Sequence, residues 1–107
     1  MGLYCCGFNP TTEEGKCFGN SWRGWEPLVT YLDDVVPEIS RKMGRGLNAQ
    51  GAIALADRLQ TEINSGRALA YGKRYTGTHE ASIPFYIEDV QMFVAFLRGC
   101  GGFFVDE

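Results

Sequence analysis

Cys5, Cys6, Cys17 and Cys100, with His79 as the sole histidine, are the side chains in this 107-residue chain best suited to hold a metal or attack a substrate. A structural zinc site takes its thiolates and imidazoles from closely spaced pairs, such as two cysteines separated by two residues. Here Cys5 and Cys6 are adjacent, Cys17 follows at a distance, and Cys100 and His79 lie far along the chain, so no metal site is expected. Four cysteines would allow three disulfide pairings in an exported protein. The chain opens without a basic stretch followed by an apolar run, which predicts a cytoplasmic protein with buried or idle thiols. A Cys–His nucleophile would need Cys17 or Cys100 beside His79 and a third group to orient the ring, and no motif supplies that set. The carboxylate pairs Asp33–Asp34 and Glu88–Asp89 are neighbours in sequence. On a helix, neighbours point about 100° apart and do not converge on one atom. No catalytic residue and no cofactor are expected.

Binding chemistry is better represented. Residues 41–79 carry Arg41, Lys42, Arg45, Arg58, Arg67, Lys73 and Arg74 against Asp57 and Glu62, a local charge of plus five within a chain of net charge −3. Tyr71 and Tyr75 flank Lys73 and Arg74. Cations for phosphates and rings for bases are what a single-stranded nucleic acid or a small anionic ligand would require. The acidic total and the absence of an RNA-binding signature place this reading second. The stretch "GRGLNAQG" (44–51) before a helix is neither a P-loop nor a dinucleotide fingerprint, and it reads as a turn. Fourteen aromatic residues, 13% of the chain, suggest the first-ranked function. If Phe8, Phe18, Trp22, Trp25 and Tyr31 do not all fit inside so small a domain, the excess forms an apolar patch of the kind that marks protein interfaces. Trp22, Arg23, Trp25 and Tyr31 are the expected interface residues, and the partner is another protein or a second copy. A Cys- or His-based enzyme or metal protein ranks third.

These residues must be positioned by a single small domain, 1–107, whose 45% apolar composition suffices for one core. No apolar run approaches the roughly 20 residues of a membrane span. Gly2 with nearby cysteines invites an acylation reading, but Cys6 stands where that motif takes Ser or Thr. Residues 3–8 read instead as a strand. A turn-rich connection follows, with Gly15 expected in a left-handed conformation. Trp25, Leu28, Leu32, Val35 and Ile39 step at helical period. Asn20 or Ser21 caps this helix, Pro27 is expected in its first turn, and Pro37 ends it near Asp34 or kinks it. A second helix starts at the cap Asn48, with Ala52, Ala56, Leu59 and Ile63 on its inner face, widened by Ile53 and Leu55, and stops at Ser65–Gly66. Residues 67–81 read as a short helix and a loop, and "SIPFYI" (82–87) as extended. A third main helix runs from about Ile87 to Arg98, with Val90, Phe93, Val94 and Leu97 facing in. Gly99–Gly102 ends it, and residues 103–106 form a last strand. The expected fold is α+β: three main helices packed with a small antiparallel sheet formed by the N- and C-terminal strands.

The stretches "WRGWEPLVTYL", "AIALADRLQ" and "VQMFVAFLRGCGGFFV" resemble a loose family of small bacterial and phage proteins. In that family, tryptophans open the first helix and the last helix ends in Gly-Gly-Phe. The resemblance implies these fold boundaries and a bacterial or phage origin. It implies no activity and carries over no site residue.

Overall fold

Tyr4, Cys6 and Phe8 alternate with Cys5 and Gly7, and in an extended chain that period of two separates an outer face from an inner one. The computed structural model describes residues 2–38, 46–78 and 86–106, and within them the side chains of all but 2, 3, 20–26, 29, 74–78 and 106. Strand β1 (Gly2–Gly7) is the centre of a three-stranded sheet with order β2-β1-β3. β2 spans Cys17–Ser21 and β3 spans Phe103–Asp106, and both pair antiparallel with β1. The register sets Cys5 opposite Phe18 and Val105, and Cys6 opposite Cys17 and Phe104. The expected sheet from the two terminal strands is present, with β2 as an addition. "CFGNS", expected to lead into the helix, is instead the far arm of a hairpin, because "NPTTEEGK" turns the chain back along β1.

Four helices are found among the described residues: α1 (Trp22–Val35), α2 (Ala49–Asn64), α3 (Arg67–Thr78) and α4 (Ile87–Gly99). α1 begins at Trp22, directly after the expected cap Ser21, and Pro27 therefore falls in its second turn rather than its first. There its missing N–H forfeits the bond to the Arg23 carbonyl. The helix breaks at Val36 ahead of Pro37, and residues 37–38 are helical again. α2 follows its expected caps closely. The Asn48 side chain accepts a 2.7 Å bond from the Gly51 N–H, and Gly66 leaves the helix with φ +82°. Ile53, expected inside, is 41% exposed, while Glu62 occupies the buried row with Leu55 and Leu59. α3 is longer than the short helix expected. The extended reading of 82–87 falls largely outside the described residues, and the helix capped by Tyr86 begins at Ile87.

The core lies between the inner face of the sheet and the helices, with α2 packed along α4. Leu28, Tyr31 and Leu32 of α1 meet Ala52, Leu55, Ala56 and Leu59 of α2 and Val90, Phe93, Phe96 and Leu97 of α4. Four phenylalanines join sheet to helix: Phe18 lies 5.1 Å from Phe93, and Phe96 lies 5.5 Å edge-on to Phe103. Gly15 is absent from the positive-φ glycines, contrary to expectation. Its requirement is close approach, since a Cβ there would sit 2.1 Å from the Gly99 carbonyl oxygen. This contact seats the 8–16 turn on the end of α4.

Candidate functional site

With the helices on one face of the sheet, the outer face carries Tyr4, Cys6, Cys17, Gly19, Phe104 and, just past β1, Phe8. Tyr4 is 52%, Phe8 62% and Phe104 41% exposed. The Phe8 ring lies 5.5 Å from that of Phe104. Its position is held by its own backbone N–H, which donates to the Gly102 carbonyl at 2.8 Å. Gly19 lies opposite Tyr4, and a Cβ on Gly19 would meet the tyrosine ring at 2.2 Å. The ring therefore lies across the glycine, and the glycine is what lets it lie flat. At 150–250 Å² for a whole ring, these exposed fractions leave roughly 300 Å² of aromatic surface open. An apolar patch of that size on a small domain is commonly functional.

The described side chains of this face, Tyr4, Cys6, Phe8, Cys17 and Phe104, carry no charge, and Asp106 stands opposite Tyr4 in the register. At its rim Lys16 pairs with Glu13 at 2.9 Å, and the hydrogen bond to Glu13 raises the lysine's pKa. In the middle, Cys17 Sγ stands 3.8 Å from Cys6 Sγ. No disulfide joins any of the four thiols. Cys5 and Cys100 are buried on the inner side, and burial pushes the Cys5 thiol up to about 12 and raises that of Cys100. Among the described residues no group of three or more metal-ligating side chains is present.

The residues expected at a protein interface divide. Trp22, Arg23 and Trp25 begin α1, and their side chains lie outside the described residues. Tyr31 is corrected: it is 1% exposed, packed in the core with its ring 4.8 Å from that of Tyr71. The anion-binding set is also redistributed. Arg41, Lys42 and Arg45 lie outside the described residues, as do the side chains of Arg74 and Tyr75. Tyr71 is half-buried against Tyr31, so its ring is committed to packing rather than open to a base. Arg67 is engaged with Glu62, and Arg98 with Asp57 at 3.0 Å. Lys73 is exposed and lines a groove of about 490 Å³ with Leu69, Tyr86 and Glu88, where a carboxylate shares the space with the cation. Arg67 is the described cation that shares a cavity with Tyr71, and there it is engaged with Glu62.

A smaller cavity of about 210 Å³ is lined by Tyr31, Val35, Glu62, Arg67, Ala70 and Tyr71. It brings one expected interface residue and one expected anion-site residue together over a carboxylate that sequence reading passed by. Burial, then the nearby Glu62 carboxylate, pushes the Tyr31 hydroxyl up to about 12. Its Glu62–Arg67 pair closes the junction of α2 and α3, a structural role. The outer sheet residues Tyr4, Cys6, Cys17 and Phe104 were also missed as a site. Their signal was the alternation along 3–8 taken together with a second strand at 17–21.

Compared with family models, curated proteins and solved structures, the chain matches none. No helix among the described residues is long and apolar enough to cross a membrane.

Proposed function

We propose that this protein is an interaction module whose binding surface is the outer face of the three-stranded sheet, and that its partner is a second copy of the same chain. The observation that carries this reading is the exposure of Tyr4, Phe8 and Phe104 together on one open sheet face. Two such faces stack as the sheets of a sandwich do, ring against ring, about 10 Å apart. The described side chains of this face are uncharged, which favours self-pairing because none of them repels its own copy. Their neutrality disfavours a nucleic acid, which needs cations beside the rings, and on this face Lys16 is already paired with Glu13. The open ring area is well below the roughly 800 Å² per partner of a standard interface, so the pair is weak and concentration-dependent.

Sedimentation velocity across a concentration series tests the reading. The wild type shifts toward dimer as concentration rises. The double variant Phe8→Ser/Phe104→Ser weakens association by at least about tenfold, the equivalent of losing one modest hot spot. At a concentration where the wild type is monomeric the variant stays folded with a modestly lower thermal midpoint, because Phe8 is 62% and Phe104 41% exposed. A wild type that remains monomeric throughout, or a double variant that associates equally well, contradicts the proposal.

A further inference from the structure

We propose that Cys6 and Cys17 form a redox-active dithiol that closes into an intramolecular disulfide across β1 and β2. The two residues are direct partners in the antiparallel register. The Gly7 N–H donates to the Lys16 carbonyl, which marks the adjacent pair as hydrogen-bonded. Bonded and non-bonded pairs alternate, so Cys6 and Cys17 occupy a non-hydrogen-bonded pair, where facing side chains approach most closely. Cα separations at such positions fall within the range a disulfide spans. Their sulfurs already face each other at 3.8 Å. Rotation about the side-chain bonds, without movement of the strands, brings them into bonding contact.

Access separates this pair from the other two thiols. Cys17 is exposed and Cys6 half-buried, whereas Cys5 is 1% and Cys100 0% exposed. An oxidant of the small-molecule disulfide class, such as glutathione disulfide, meets Cys17 first. The Cys17 thiolate attacks one sulfur of the oxidant, forming a mixed disulfide and releasing one thiolate, which takes up the proton that Cys17 gave up. Cys6, as its thiolate, then attacks the Cys17 sulfur and expels the second thiolate, which takes up the Cys6 proton. Two protein thiols are oxidised to one disulfide and one oxidant molecule is reduced to two thiols. The second step is intramolecular, with the attacking sulfur held beside its target, so it outruns reduction by a second glutathione. The inference stands on strand register and on the access these thiols have in the undocked chain, so its test uses dilute protein.

The test is glutathione disulfide treatment of the dilute native protein, followed by alkylation, trypsin digestion and mass spectrometry. Cleavage after Lys16 and Arg23 places the two cysteines in peptides 1–16 and 17–23. The wild type yields these peptides linked, with a loss of two hydrogens and little mixed disulfide. Cys6→Ser abolishes the linked product and accumulates the glutathione adduct on Cys17. Cys17→Ser also abolishes the link. Three results overturn the proposal: a wild type that accumulates the Cys17 adduct unlinked, a Cys6→Ser protein that still links through Cys5, or linkage only between chains.

Discussion

Cys5 and Cys6 are neighbours in sequence with opposite environments, because a strand turns successive side chains to opposite faces. Cys6 meets Cys17 on the outside. Cys5 is sealed inside, and burial, with the neighbouring Cys6 and Cys100, raises its thiol from an ordinary 9.0 to about 12. Tyr31 is treated alike by burial and Glu62, rising from 10.0 to about 12. Both groups hold their protons more tightly folded than unfolded. Their stabilising contribution is therefore complete below the unfolded values and lost as pH climbs toward the folded ones. Urea midpoints should hold level up to about pH 9 and fall between there and about 12. Cys5→Ala should make the fall that starts at 9.0 shallower, leaving the part that the buried Cys100 thiol contributes. A wild-type profile that stays level to 12, or a variant profile that declines as the wild type does, would contradict the assignment.

Elements differed in how plainly the sequence announced them. α2 and α4 were legible to within a residue or two, since capping by Asn48, the Gly66 stop and the acidic first turn Glu88–Asp89 are local chemistry. β1 and β3 were legible as apolar runs beside glycines. β2 was not, because Gly19, Asn20 and Ser21 have low strand propensity and are held extended by pairing with β1. Glu62 was hidden for a related reason. A glutamate in a helix reads as solvated surface until another element arrives to cover it, and α3 does so while Arg67 supplies the counter-charge. The site split the same way: Tyr31 was read as surface and lies in the core, while the outer sheet face needed the register of a strand not foreseen. The Glu62 side chain is 7% exposed and that of Arg67 60%, so the pair is asymmetric. Arg67→Ala strands a buried carboxylate. Water reaches the arginine side, so the cost is about 1–2 kcal/mol rather than the 3–5 of a fully buried pair. Glu62→Gln removes the charge and leaves an exposed arginine content in water, at a cost of about 1 kcal/mol or less. Chemical denaturation of the two variants checks the ranking, and Glu62→Gln being the more damaging would refute it.

At the scale of the molecule, the expected α+β architecture holds, and its asymmetry is what gives it a surface to use. Among the described residues, four helices lie to one side of a three-stranded sheet, and Tyr4, Phe8 and Phe104 are exposed on the other. The chain places three aromatic rings there, on a side where such a sheet usually shows mostly polar residues to water. The described side chains of this face are uncharged, on an acidic protein of net charge −3. Self-association through that face is the central claim, and amide chemical shifts followed by NMR on dilution test it most directly. The account predicts concentration-dependent shifts centred on Tyr4, Cys6, Phe8, Cys17 and Phe104, with the helical amides of α2 and α4 unmoved. Shifts that centre on Trp22, Arg23 and Trp25 at the start of α1, or spectra that do not change with concentration, would contradict it.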